Sequence, residues 1–338
     1  MNKTLKKSLI ITGIVLGSIV GLFLVLYAIL AIIGAAAYGE ARKVRQYVCD
    51  VAGISEGIAP QGLTYAADKD VYIQTGYYGK GMAMLYLVNG KDSRRVMLND
   101  VDGEPLKSHA GGVTCTKDMV YIANGSTLIA YSLNALYNAN ATTAVTALER
   151  IPVDNNAAFC YSDDEYLFVG EFYRAGNYET EKSHYYTTPN GDENKAIISC
   201  YKLNADGTLF KDGDQPYPLY SISVTGLVQG CAVKDGILVL SRSYGLKHSK
   251  LEYHKPVESA DTMTVSFKKN ASAESKTVPL YYADSTTMIK SLTLPAFSED
   301  ITIVNDRIVV TNEASANKYF VGKLFGSHKV YSYPMYTE

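Results

Sequence analysis

Polar side chains stand directly before short apolar runs at five places in the sequence, and their chemistry is that of hydrogen bonding and cation binding. They are Gln61, His109, Asn156, Gln229, and Glu299 with Asp300. Amides and imidazoles form hydrogen bonds, and carboxylates accept them or hold a divalent cation. We expect these residues to form one ligand-binding surface, because their repeated position predicts that the runs meet in the folded chain.

A second set of polar and aromatic residues follows the next apolar run at each place. The set contains Tyr77, Tyr78, Asn124, Glu171, Arg174, Arg242, Tyr244, Asn312 and Glu313. We place Arg242 with the first set. The expected second ring consists of Glu171, Arg174, Tyr244, Asn312 and Glu313. A structural role stays open for all of them, because polar groups also bind ordered water and satisfy buried backbone.

Three of the carboxylates, Glu299, Asp300 and Glu313, are candidate ligands for a divalent cation such as calcium. A cation held there with the amide oxygen of Asn312 would activate water, with His109 as a base. This pattern describes a metal-assisted hydrolase. The competing interpretation is a binding module, which requires no cofactor, and the sequence does not decide whether the protein is an enzyme.

The apolar runs that must position these residues recur as a pair of short strands around a polar turn. The pairs are "QGLTYAADKDVYIQTGYY" from Gln61, "GVTCTKDMVYIANG" from Gly112, "AAFCYSDDEYLFVGEFYR" from Ala157, "QGCAVKDGILVLSRSYG" from Gln229 and "EDITIVNDRIVVTNEAS" from Glu299. Further strands rich in tyrosine follow several pairs. Repeated units of three or four strands predict an all-β chain folded as a single β-propeller.

The number of repeats predicts five blades. A long insert in the fourth unit contains two more runs with strand character, at residues 262–267 and 278–282, and the count becomes six if they form a blade of their own. The last unit lacks a fourth strand. We expect residues 43–51, "KVRQYVCDV", to pair with the final strand and close the ring, which removes an exposed edge.

The repeated turns resemble those of small-molecule-binding β-propellers, including the gluconolactonase/regucalcin, strictosidine-synthase and NHL-repeat types. The chain is most similar to uncharacterised exported bacterial propellers, through "PQG" at Pro60 to Gly62, "HAGG" at His109 to Gly112 and "VQG" at Val228 to Gly230. The resemblance implies a propeller after residue 45 and a site at its channel mouth. It implies no particular chemistry, because one fold supports many functions.

A charge-free segment at residues 8–38 precedes the propeller and follows three lysines within residues 1–7. It is long enough to cross a bilayer as a helix and longer than the apolar core of a signal peptide. We therefore expect an uncleaved signal anchor, with residues 39–338 outside the cytoplasm. Cleavage near Ala35 to Ala37 is the alternative, and the basic residues on both sides of the segment leave its orientation weakly specified.

The net charge of the chain after the apolar segment limits the classes of partner to expect. Residues 46–338 carry a net charge of −7, against −2 for the whole chain. An acidic domain argues against nucleic acid as the ligand. We expect the membrane as one partner, through the helix, and a small molecule, a glycan or a surface protein as the other. A structural role in a membrane assembly is a third possibility.

Overall fold

The computed structural model describes residues 3–319, 322 and 327–337. It contains two compact units, Met1–Lys43 and Val44–Glu338. The first unit contains helix α1, Lys3–Ala37, and most of the short helix α2, Gly39–Val44. Within α1, the 31-residue stretch Lys3–Ile33 contains an 18-residue window with a mean hydropathy of 2.8, so this helix is long and apolar enough to span a membrane.

The described residues of the second unit form mainly β-strands, together with helix α3 (Leu133–Asn138) and short 3-10 turns at Ile54–Glu56, Ala67–Lys69 and Lys182–His184. The first twelve strands are β1 (Gln46–Asp50), β2 (Ala59–Ala66), β3 (Val71–Tyr78), β4 (Met82–Asn89), β5 (Asp92–Asn99), β6 (Val113–Cys115), β7 (Met119–Ser132), β8 (Val145–Thr146), β9 (Glu149–Ser162), β10 (Tyr166–Glu171), β11 (Tyr186–Thr187) and β12 (Glu193–Asn194). The others are β13 (Ala196–Lys202), β14 (Pro218–Val224), β15 (Val228–Lys234), β16 (Ile237–Arg242), β17 (Ser249–His254), β18 (Val257–Val265), β19 (Lys276–Tyr282), β20 (Met288–Leu294), β21 (Ser298–Val304), β22 (Arg307–Asn312) and β23 (Lys329–Pro334).

The first strand of each repeated unit lies in an inner ring. Strand β2 contacts β6, β6 contacts β9, β9 contacts β15, β15 contacts β21, and β21 contacts β2. Antiparallel strands follow outward from this ring, as in the order β2-β3-β4-β5 and in the order β15-β16-β17-β20. Radial antiparallel sheets around a ring of inner strands define a propeller. The fold is a β-propeller.

Strand β9 prevents a division into fully separate sheets. Its first half pairs with β7 and its second half with β10, so one eight-stranded sheet runs in the order β18-β19-β14-β13-β10-β9-β7-β6. The two strands anticipated in the long insert form the hairpin β18–β19. This hairpin lies on the edge of β14, where β19 pairs in parallel with it. The number of blades stays a prediction.

Both ends of the second unit meet in one sheet, ordered β1-β23-β22-β21. Strand β1 pairs antiparallel with β23, with Gln46 opposite Ser332 and Asp50 opposite Lys329. Buried Cys49 belongs to an apolar cluster that also contains Leu63 of β2. That this pairing closes the ring and holds the domain together stays a prediction. All five cysteines are free thiols, and four of them are buried.

Candidate functional site

A cavity of about 590 Å³ opens where the residues preceding the inner strands meet. Nine of the residues singled out in the sequence line it: Gln61, Tyr77, His109, Asn124, Asn156, Gln229, Tyr244, Glu299 and Glu313. Five of them belong to the inner strands or precede them, and the other four belong to or follow the strands paired with them, β3, β7, β16 and β22. Its volume lies in the range of small-molecule sites.

Glycines in the repeated turns bring the inner strands close together. A Cβ atom at Gly112 would lie 2.4 Å from the Cα of Phe159, and one at Gly230 would lie 2.8 Å from the Cα of Asp300. Any larger residue would therefore push neighbouring inner strands apart. The glycines of the "HAGG" and "VQG" turns are thus needed for packing, and the polar residue of each turn, His109 or Gln229, lines the cavity.

Two buried carboxyl groups lie side by side at the cavity. Glu299 is 3% exposed and Glu313 is 7% exposed. Burial raises the pKa of Glu299 well above its usual range, and the charge of Glu313 and a hydrogen bond with it act in the same direction. Gln229 Nε2 donates to Glu299 at 3.4 Å, and Gln61 Nε2 donates to Glu313 at 3.0 Å. The buried position beside Glu313 therefore favours the protonated form of Glu299, which can donate a hydrogen bond.

Lys318 neutralises the second carboxyl group. Its ammonium lies 3.1 Å from Glu313 Oε2 and donates to the hydroxyl of Tyr77 at 2.7 Å. Burial lowers the pKa of Lys318, but the charge of Glu313 and hydrogen bonds with Tyr319 and Tyr77 outweigh it and raise the pKa. Tyr319 donates to Glu313 at 2.6 Å. Lys318 is thus positively charged and paired with Glu313.

The imidazole of His109 stacks on the ring of Tyr77, with centroids 4.3 Å apart and planes 16° from parallel. Burial lowers the pKa of His109, the charge of Lys318 lowers it further, and Glu313 opposes both effects. The histidine is therefore neutral at pH 7 and presents one donor and one acceptor nitrogen.

Aromatic rings form one wall of the cavity. Phe172 contacts Tyr178 edge-on at 5.4 Å and lies 6.3 Å from Tyr244. Tyr178 is 52% exposed and Tyr244 is 37% exposed. The guanidinium of Arg174 lies over the ring of Tyr244, 4.1 Å from its centroid. This wall gives the polar cavity an apolar surface.

Asp300 does not line the cavity, although the sequence analysis places it at the channel mouth. It is fully buried, and its carboxylate accepts hydrogen bonds from the backbone nitrogens of Leu63 and Val113 at 3.1 Å and of Ile301 at 3.0 Å. Burial raises the pKa of Asp300, and these three amides oppose the rise. Asp300 therefore joins strands β21, β2 and β6 and has a structural role.

Glu171 is also fully buried and lies outside the cavity. It accepts hydrogen bonds from the backbone nitrogen of Asn156 at 3.0 Å and lies 3.0 Å from Nδ1 of His184. Burial lowers the pKa of His184, but the hydrogen bond and charge of Glu171 outweigh it, and Asp154 and Glu181 add to the rise. Glu171 thus fixes the backbone at Asn156 and also holds the segment that contains His184.

The other predicted residues lie beside the cavity or away from it. Arg242 forms an ion pair with Glu252 at 2.8 Å, and Asn312 donates to the carbonyl of Lys329 at 3.2 Å. Arg174 is held against the ring of Tyr244. Tyr78 bonds to the hydroxyl of Tyr86 at 2.6 Å. None of these four predicted residues lines the cavity.

The three carboxylates suggested as cation ligands are otherwise engaged. Asp300 uses both of its oxygens on backbone amides, Glu313 accepts from Gln61 and Tyr319, and Glu299 accepts from Gln229. Within residues 3–319, 322 and 327–337, no group of three histidine, cysteine, aspartate or glutamate side chains is arranged to hold a metal ion. The described residues therefore do not fit the predicted calcium site.

Several lining residues were not found from the sequence. They are Ser108, Phe172, Tyr178, Ser243, Phe297, Lys318 and Tyr319. Phe172 directly follows Glu171 in a repeat and could have been found by its position. Lys318 and Tyr319 lie in the loop between β22 and β23, where no periodic pattern marks them.

No protein-family model matches the chain, and no curated protein matches it. Solved structures are similar in fold. The PQQ-bound aldose sugar dehydrogenase of Streptomyces coelicolor is 12% identical over 85% of this chain and 97% of its own, with a TM-score of 0.45. A luciferin-regenerating enzyme is 10% identical over 86% of this chain and 95% of its own, with a TM-score of 0.41. BamB of Moraxella catarrhalis is 9% identical over 82% and 84%, with a TM-score of 0.35.

Proposed function

We propose that the protein is a membrane-anchored binding module whose propeller takes a small polar molecule into the cavity. Helix α1 would be the anchor, and the propeller would lie outside the cytoplasm. The observation that carries the proposal is the convergence of Gln61, His109, Asn156, Gln229 and Glu299 on one cavity, although they are far apart in sequence. Concave sites with a few convergent polar groups are typical of small-molecule binding.

The shape of the site favours a small molecule over a protein partner. The carboxyl groups of Glu299 and Glu313 are almost completely buried, so a flat protein surface would not reach them. Exposed polar groups such as Asn156 stand at the same cavity as the aromatic residues Tyr178 and Tyr244. A ligand that enters the cavity would contact both kinds of group, which gives orientation and affinity together.

Binding can be tested by thermal unfolding of the full chain in detergent against neutral, acidic and basic small molecules, followed by calorimetry of each hit. The Asn156→Ala and Gln229→Ala variants should each weaken binding about tenfold, because each loses hydrogen bonds to the ligand. The Asn190→Ala variant is the matched control, since Asn190 is exposed outside the cavity and bonds to Ser285.

Two outcomes would contradict the proposal. If no compound raises the Tm, or if every hit binds the two cavity variants as tightly as the unchanged chain, the cavity is not the binding site. A Tm that rises with calcium and falls with a chelator would instead support the metal-assisted hydrolase alternative.

A further inference from the structure

Among the described residues, the cavity offers a ligand no unpaired positive charge, and its one ammonium group is held in an ion pair. Its described lining residues include four groups other than tyrosine that can titrate: His109, Glu299, Glu313 and Lys318. Lys318 pairs with Glu313 at 3.1 Å, and burial favours the uncharged forms of Glu299 and His109. An ion entering this site would lose its hydration without gaining an unpaired opposite charge. The lining therefore favours an uncharged ligand.

The hydrogen-bonding groups at the cavity are mainly side-chain amides. Asn124 and Asn156 line it together with Gln61 and Gln229. The two glutamines use their amide nitrogens on Glu313 and Glu299, which leaves their carbonyl oxygens as acceptors for a ligand. An asparagine amide offers a donor and an acceptor side by side and suits a pair of neighbouring hydroxyl groups. The lining thus matches a ligand with several hydroxyl groups.

The aromatic wall adds an apolar requirement. Tyr244 and Tyr178 are exposed at the cavity, and Phe172 lies between them. The guanidinium of Arg174 lies 4.1 Å from the centroid of the Tyr244 ring and holds the ring in place. A ligand that fits must therefore have a flat apolar face as well as hydroxyl groups, and sugar rings combine the two because their C–H bonds lie on the ring faces.

We propose that the cavity binds an uncharged sugar ring, with a C–H face against Tyr244 and hydroxyl groups on Asn156 and its neighbouring amides. This inference rests on the proposed function, because it names the ligand class of the same cavity. Amines and acids are the competing classes. An amine would have to displace Lys318 from Glu313 or ionise Glu299, and an acid would face two carboxyl groups.

Calorimetry with the full chain tests the proposal, using glucose, galactose, mannose and N-acetylglucosamine as neutral probes. Glucosamine and glucuronic acid are the charged counterparts. A detergent with a polyoxyethylene headgroup is required, since alkyl glycosides carry sugars themselves. We expect at least one neutral sugar to bind, with a Kd about tenfold or more below that of either charged counterpart.

Variants of one aromatic position separate stacking from other contacts. Tyr244→Ala should weaken binding about tenfold, whereas Tyr244→Phe should stay within about twofold, because the ring face is kept. The matched control is Phe210→Ala, which removes a 50% exposed aromatic ring outside the cavity and should leave binding unchanged. Thermal unfolding of each variant checks that the fold is retained.

The outcomes distinguish this inference from the proposed function. The sugar proposal is overturned if no neutral sugar binds, if a charged counterpart binds more tightly, or if Tyr244→Ala binds as well as the unchanged chain. If a compound that is not a sugar binds and Asn156→Ala weakens it, the proposed function survives without the sugar proposal. If nothing binds in the cavity, both fail.

Discussion

At the scale of single residues, neighbours in one strand have opposite roles. Glu299 and Asp300 are adjacent in β21, yet Glu299 lines the cavity and Asp300 bonds to the backbone of other inner strands. Successive side chains of a strand point to opposite faces. A site residue and a structural carboxylate can therefore share one sequence signal.

The Glu299 carboxyl group should make the stability of the propeller depend on pH. An unfolded chain releases this proton near pH 4.5, whereas the folded protein keeps it to a much higher pH because burial and Glu313 raise the pKa. The folded state then holds more protons, so the free energy of unfolding falls as pH rises through this interval, by at most about 1.4 kcal/mol per pH unit for one proton.

Glu299→Gln removes this proton exchange and keeps the shape of the side chain. We expect the variant to become more stable than the unchanged chain as pH rises above about 4.5, with little difference below that value. Urea unfolding from about pH 4 to pH 8 measures the effect. Glu274→Gln, at an exposed position, is the control and should follow the unchanged chain. Parallel curves for Glu299→Gln and the unchanged chain would rule out the raised pKa.

At the scale of elements, the sequence predicts the site residues that occupy the same position in every repeat and misses those that occur only once. Gln61, His109 and Gln229 were found because each precedes a glycine turn and a first strand, and a propeller brings such positions together. Lys318 was missed because it lies in a loop, where contacts are set by tertiary packing. The parallel addition of β19 to β14 also has no local signal, since it joins segments far apart in the chain.

Strand β1 is the element whose loss should affect the whole propeller. It covers the edge of β23, and Arg307 donates to the carbonyl of Val44 at 2.7 Å beside it. Deleting residues 41–53 should abolish the cooperative thermal transition, because it exposes the edge of β23 and opens the apolar cluster around Cys49. Removing the exposed turn at residues 140–143 is the control and should leave the transition in place. A full transition without residues 41–53 would contradict closure by β1.

At the scale of the whole molecule, a membrane anchor at α1 would decide which small molecules can reach the cavity. Residues Lys3–Ile33 are exposed along α1 and contain an 18-residue window with a mean hydropathy of 2.8, so in water this helix would present a large apolar surface. Lysines precede the apolar segment, and further basic residues follow it. Because the two groups balance, orientation must be measured rather than inferred from charge alone.

Cell fractionation tests the anchor and its orientation together. We expect the full chain to remain in the membrane pellet after alkaline carbonate extraction, and a chain lacking residues 3–33 to appear in the soluble fraction, because the apolar helix supplies the attachment. Protease added outside intact cells should digest the propeller if it lies outside the cytoplasm. A soluble mature chain that begins just after Ala37 would identify a cleaved signal peptide instead. A propeller protected from the protease would place the cavity on the cytoplasmic side of the membrane. The sugars and other small molecules that reach it there would be different.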